Sequence, residues 1–121
     1  MNPVRSMLFT PGHRLDMIEK AARSGTDAVI VDLEDAVSHD NKPEARENLG
    51  KLPGSPVAYY VRSNAVETGL LWDDVVAAGR AEVVGLILPK AEDPKVISQI
   101  DGALTALEKV SGKPAGSITI I

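Results

Sequence analysis

Apolar and polar positions are distributed along the chain in two kinds of block. Short, nearly unbroken apolar runs fall at Val4–Phe9, Ala28–Leu33, Val57–Arg62, Val83–Leu88 and Ser117–Ile121. Ala28–Val31 lacks the polar alternation of a half-exposed strand, so it reads as a strand buried on both faces. Between these runs, apolar residues recur at three- and four-residue steps. Ile97, Ile100, Leu104 and Leu107 predict a helix over Pro94–Val110. Leu71, Val75 and Ala78 predict one over Leu70–Ala78, and Ile18, Ala21 and Ala22 one over Met17–Ser24. A short helix over Pro43–Leu49 begins at a proline, whose missing N–H costs little there. Gly25, Gly50 and Gly79 stand where helices stop. Asp16 and Glu19 have capping-box spacing, and Asp93 precedes Pro94 as an N-cap would. Thr10-Pro11-Gly12 predicts the end of the first strand, and Trp72 is expected to cover a helix–sheet seam.

Strands recurring about every 25–35 residues, each followed by a helix, imply consecutive right-handed βα units and a parallel sheet. Two architectures fit. An open, doubly wound five-stranded sheet suits 121 residues and would place strand 1 centrally. A (β/α)8 barrel needs about 250 residues and adds its strands in sequential order. The last run closes on a strand with no helix after it, and an uncovered parallel strand exposes an apolar face. That detail leads us to expect α/β architecture: the N-terminal part of a TIM barrel, with residues 1–121 a partial barrel domain cut after strand 5. The open parallel sheet is the alternative.

Composition narrows the function classes. A formal charge of -4 gives no footprint for nonspecific nucleic-acid binding. Without cysteine there is no disulfide framework, thiol nucleophile or cysteine metal site. No apolar run approaches membrane-spanning length, so a cytoplasmic protein without membrane contact is expected. His13 and His39 are too far apart to read as a zinc cluster, and His39 reads as a solvent-exposed loop residue.

The chemistry sits just after the apolar runs, at the strand ends where parallel α/β folds bind ligands. Asp32, Glu34 and Asp35 follow strand 2. Arg62 and Asn64 follow strand 3, Lys90 follows strand 4, and His13 and Arg14 follow strand 1. A guanidinium at a strand end can grip a carboxylate or a developing enolate oxygen with two donors. Arg62 equally reads as an ion-pair partner of Glu34 or Asp35 that organises the rim. Glu34 and Asp35 read either as carboxylates that orient Arg62 or hold metal-bound water, or as loop carboxylates satisfied by backbone N–H groups. Asp32 reads as a supporting residue. Asn64 has the chemistry to hydrogen-bond a ligand or to cap a turn, and Lys90 to supply positive charge. His13 has no identifiable partner.

Five segments then resemble a known family. Arg5-Ser6-Met7-Leu8-Phe9-Thr10-Pro11-Gly12, Lys20-Ala21-Ala22-Arg23-Ser24-Gly25 and Val31-Asp32-Leu33-Glu34-Asp35-Ala36-Val37 are similar to the N-terminal region of the HpcH/HpaI aldolase superfamily. Val61-Arg62-Ser63-Asn64 and Leu86-Ile87-Leu88-Pro89-Lys90-Ala91-Glu92 follow in the same order. The nearest branch is citrate lyase beta-subunit-like, with malyl-CoA and citramalyl-CoA lyases as relatives. The resemblance implies a TIM barrel assembled as a trimer or hexamer. It implies a magnesium-dependent carbon–carbon lyase acting on a 3-hydroxy acid or its CoA thioester, of citryl-, malyl- or citramalyl-CoA type. It implies that Arg62 acts on substrate, that Glu34 and Asp35 lie in the active site, and that Arg14 contacts substrate; Asn64 and Lys90 join the expected substrate-binding set by their chemistry and their places at the strand ends. It also implies that the main Mg2+ ligands lie beyond Ile121, leaving Glu34 and Asp35 at most in contact with metal-bound water. Two rivals remain at this point: a catalytically incomplete protein with a binding or structural role, and an open α/β module that binds Mg2+ through Asp32, Glu34 and Asp35.

Overall fold

A computed structural model describes residues 3–121. Five strands are joined by four α-helices: β1 Met7–Pro11, α1 Leu15–Ala22, β2 Ala28–Asp32, α2 Lys42–Asn48, β3 Ala58–Arg62, α3 Leu71–Arg80, β4 Gly85–Ile87, α4 Pro94–Val110 and β5 Thr119–Ile120. All neighbouring strands pair in parallel, in the order β1-β2-β3-β4-β5. β1 therefore lies at an edge, which excludes the doubly wound arrangement. Sequential pairing is the order of the first strands of a (β/α)8 barrel.

The helices confirm this by covering one face. Val29, Val31, Tyr59, Val61 and Leu86 join Ile18 and Ala21 of α1, Ala45 of α2, Leu71, Val75 and Ala78 of α3, and Ile100 and Leu104 of α4 in a single core cluster. Ala28 and Ile30, which alternate with these residues along β2, stand outside it. The two faces of the sheet thus have separate tasks. The helix-facing side holds the packing, where a fully buried aliphatic side chain contributes about 1.5–3 kcal/mol. The opposite side carries Phe9, Tyr60 and Arg62. Two glycines permit close approaches. A Cβ on Gly79 would fall 2.5 Å from Leu107 Cδ1, so α3 and α4 meet there without a side chain between them. A Cβ on Gly85 would fall 2.4 Å from the Tyr60 ring, which lies across β4.

Several local expectations need correction. β1 begins three residues later than the apolar run and continues through Pro11, because the Pro11 nitrogen faces away from β2 and the following N–H, that of Gly12, carries the ladder to the Asp32 carbonyl (2.8 Å). The Asp16–Glu19 capping box does not form. The helix starts at Leu15, its N-cap Arg14 makes no side-chain cap bond, and Asp16 pairs with Arg14 at 2.9 Å. Trp72 is 41% exposed on the outer side of α3, while Leu71 beside it takes the buried position. β4 is only three residues long, although Val84 N and Leu88 N still bond to the neighbouring strands' carbonyls. Asp93 caps α4 as expected, accepting from Lys95 N at 2.9 Å. Gly25 lies in the turn from α1 to β2 at φ +90°.

Candidate functional site

The strand register builds the centre of the site. Asp32 at the end of β2 stands opposite Arg62 at the end of β3. Arg62 Nε donates to Asp32 Oδ1 at 2.9 Å, and Nη2 donates to Oδ2 at 2.7 Å. The Phe9 ring of β1 lies under the guanidinium, 4.7 Å from centroid to Cζ. The Asp32 oxygens also accept from Glu34 N (2.9 Å) and Ala36 N (3.0 Å), which curl the next loop around the carboxylate. Burial by itself pushes the Asp32 carboxyl up. The Arg62 hydrogen bonds and the two backbone N–H groups outweigh it and hold the group below the usual carboxylate range. Arg62 is raised in turn, chiefly by its hydrogen bond to Asp32.

This arrangement fixes the guanidinium in plane and direction. Two of its three nitrogens face Asp32, and among the described residues Nη1 has no hydrogen-bond partner. The arginine remains 25% exposed, so the Nη1 edge is available to an oxyanion. Glu34 stands beside it with Oε1 3.6 Å from Arg62 Nε. Partial burial, together with the nearby Asp35 charge, raises the Glu34 carboxyl above its ordinary value. Arg62 thus makes its short ion pair with Asp32, Glu34 lies at longer range, and Asp35 is exposed on the loop.

A second polar group lies behind the same loop, and the sequence reading singled out only one member of it. Asn64 is buried. Its Nδ2 donates to Leu33 O (2.9 Å) and Asp74 Oδ2 (2.8 Å), and its backbone N donates to Asp74 Oδ2 (2.7 Å). Its Oδ1 accepts from Lys42 Nζ at 2.6 Å. Asp74 is fully buried in α3, and Arg46 Nη1 of α2 approaches it at 3.4 Å. Burial raises the Asp74 carboxyl in spite of these donors. A signal for Asp74 was present: it falls on the stripe Leu71, Val75 and Ala78, where an amphipathic helix points inward.

The remaining candidates are distributed around the rim. Arg14 is exposed and bonded to Asp16. In the same loop, His13 Nδ1 is buried without a partner among the described residues, as is Ser63 Oγ after β3. Gly12 brings this loop against β2: an added Cβ would sit 2.8 Å from Asp32 O and 3.0 Å from Ala45 Cβ. Asn48 of α2 donates to Gly12 O at 2.9 Å, which fixes the loop from below. Lys90 follows Pro89 with φ +52°, exposed on the lip of a cleft of about 200 Å³ that also involves Glu67, Leu88 and Val96. A larger hollow of about 700 Å³ opens near Asp27, Val57 and Gly116, at the amino ends of the strands and away from Arg62. Barrel enzymes work at the carboxyl ends, so the Arg62 side is the candidate.

The donor set does not make a metal centre. Among the described residues, no three His, Cys, Asp or Glu side chains come together to hold an ion. The Asp32 oxygens are already occupied by four N–H donors. This geometry disfavours the module that would bind Mg2+ directly through Asp32, Glu34 and Asp35.

The HpcH/HpaI aldolase/citrate lyase family model matches residues 5–121. The chain belongs to this family. It is 32% identical over 117 residues to the citrate lyase subunit beta of Leuconostoc mesenteroides subsp. cremoris, a match covering 93% of this chain and 39% of that protein. It is 32% identical over 116 residues to the L-malyl-CoA/beta-methylmalyl-CoA lyase of Rhodobacter capsulatus, covering 90% of this chain and 36% of the lyase. The chain therefore spans less than two fifths of the length of these relatives. Among solved structures, the CitE protein of Mycobacterium tuberculosis in complex with magnesium, acetoacetate and coenzyme A superposes with a TM-score of 0.69 at 36% identity. That match covers 78% of this chain and 35% of CitE. Family and sheet order together establish the fold as the N-terminal part of the barrel. No described helix is long and apolar enough to cross a membrane.

Proposed function

We propose that the full-length protein is a carbon–carbon lyase acting on a 3-hydroxy acid or its coenzyme A thioester, of the citryl-, malyl- or citramalyl-CoA type. The observation that carries this reading is Arg62, clamped by Asp32, stacked on Phe9 and presenting Nη1 at the carboxyl end of the sheet. Cleavage removes the proton of the 3-hydroxyl, turns that carbon into a carbonyl, and moves the electrons of the broken carbon–carbon bond into an enolate. Negative charge therefore develops on an oxygen during the step. A guanidinium already held in direction stabilises such charge without reorganising as it forms. Glu34 lies beside Arg62 and is assigned to the same site, with Asp35 further out on the same loop. Arg14 and Lys90 are assigned to substrate contacts at the rim, and Asn64 supports the loop from below. Magnesium enters this reading through CitE, which binds it in solved structures. The side chains described here do not form its site, so no step is drawn through it, and its ligands are assigned outside residues 1–121.

The test is cleavage of the three thioesters by the full-length protein with and without Mg2+. Arg62→Ala should lower turnover by about 10²–10³ or more, the scale for loss of an oxyanion donor. Arg62→Lys keeps a counter-charge for Asp32 but loses the planar fork, so it separates lost chemistry from lost folding. Full activity in a folded Arg62→Ala protein refutes the assignment. No cleavage of any of the three by the wild type refutes the lyase reading for these substrates.

A further inference from the structure

The loop that carries Glu34 is held by a side chain outside every motif that points to the site. Lys42, the first residue of α2, turns back under this loop. Its Nζ donates to Leu33 O (2.8 Å), to Glu34 O (3.0 Å) and to Asn64 Oδ1 (2.6 Å). An ammonium has three N–H donors, so all three are used. Two of the acceptors are consecutive backbone carbonyls at the point where β2 becomes loop. The third belongs to a buried asparagine whose amide is itself fixed by Asp74 and Leu33 O. The Asp74 carboxylate on α3 that fixes this amide has its own cation, Arg46 of α2, at 3.4 Å.

From above, the same loop is held by Asp32, which takes Glu34 N and Ala36 N. The backbone of Glu34 is thus gripped at its N–H by Asp32 and at its carbonyl by Lys42. With both ends fixed, the Glu34 Cα is held within reach of Arg62, and its carboxylate lies 3.6 Å from Nε. We propose that Lys42 is a positioning residue: through the Glu34 carbonyl, backed by Asn64 and Asp74, it sets the Glu34 carboxylate against Arg62. This rests on the assignment of Glu34 to the site made above. The role suits lysine, a compact point of three rotatable donors, better than the wide planar fork of arginine.

Amide hydrogen exchange on the full-length protein reads the positioning without any need for catalysis. In Lys42→Met the amides of Glu34 and Ala36 should exchange about 10- to 100-fold faster, the loss expected for a charge-assisted hydrogen bond. Those of Val29–Val31 and Tyr59–Val61 should stay within about 3-fold, because they open only with the sheet. Unchanged exchange at Glu34 and Ala36, or an equal acceleration across β2 and β3, overturns the proposal. Lys42→Gln, which keeps an N–H donor, answers the same question if the methionine variant does not fold. In the full-length protein, Lys42→Met should lower kcat about 10-fold or more with KM moved less than about 3-fold, and should add little in a Glu34→Gln background. An additive effect of the two substitutions overturns it. A wild type that cleaves no thioester refutes the lyase reading, while the exchange experiment still judges the loop.

Discussion

Replacing Asp32 tests the centre of the site through stability. Its carboxylate is 1% exposed and accepts four hydrogen bonds: two from Arg62, at 2.9 and 2.7 Å, and one each from Glu34 N and Ala36 N. Asp32→Ala leaves all four donors without that partner. Breaking a buried pair from one side costs about 3–5 kcal/mol. Arg62 is 25% exposed and can turn its fork to water, which places the cost near the lower end, about 3 kcal/mol. For a chain of this length that corresponds to a fall in Tm of roughly 10 °C. Asp32→Asn keeps one acceptor oxygen but turns an NH2 group toward two of the four donors, so it should cost nearly as much, about 2–3 kcal/mol. Urea titrations at a series of pH values provide the assay. The folded carboxyl lies below its ordinary value, so the unfolded chain binds more protons between the ordinary value of about 3.9 and the folded one. The contribution of Asp32 is therefore fully present above the unfolded pKa and lost as pH falls through the folded one. Asp16 and Asp27, held at about 2 by Arg14 and Arg5, are common to wild type and variant and cancel in the difference. The gap between wild type and Asp32→Ala should narrow below about pH 4. A gap under about 1 kcal/mol at pH 7, or one that stays constant on acidification, would refute the clamp as described.

Two further substitutions probe the frame. Gly12→Ala should destabilise by about 1–3 kcal/mol in urea unfolding, since its Cβ would meet the Asp32 carbonyl at 2.8 Å, with Ala45 Cβ and Leu33 Cδ2 close behind; a neutral result would show that the β1–α1 loop yields. Gly102→Ala, in the interior of α4 with open space around it, should stabilise by roughly 0.5–1 kcal/mol and raise the thermal midpoint.

The helices and the parallel sheet were legible because hydrophobic spacing reports directly on which face is buried. β2 and α4 came out within a residue of their bounds, since each combines a strong pattern with a clear stop or cap. Edges were less legible. Pro11 marks a chain break by its chemistry, yet its nitrogen faces away from β2, so the β1–β2 ladder loses no bond there and β1 runs through it. Charges at the strand ends located the candidate site, but not the pairing within it. Arg62 has carboxylates at positions 32, 34 and 35 to choose from, and only the cross-strand register selects Asp32. The Lys42–Asn64–Asp74 group joins residues 22 and 10 positions apart, at which spacing no periodicity applies. Its one visible trace is an acid on an apolar stripe. Glu108 shows the same signal: it continues the stripe of Ile100, Leu104 and Leu107, and its buried carboxylate accepts from Gly116 N and Ile118 N, which fixes the turn into β5.

The sequential strand order has a consequence for how the chain acquires its shape. Met7 meets Ala28, Ala28 meets Ala58, Tyr60 meets Gly85 and Gly85 meets Thr119, so every pairing joins segments 21 to 34 residues apart. Loop-closure entropy grows only with the logarithm of length, and across that range it changes by about 0.4 kcal/mol. Among the described strands, each new one therefore closes onto the last at nearly the same entropic cost. Such a chain can build its sheet one βα unit at a time as it leaves the ribosome, with each docked unit presenting a free strand edge to the next.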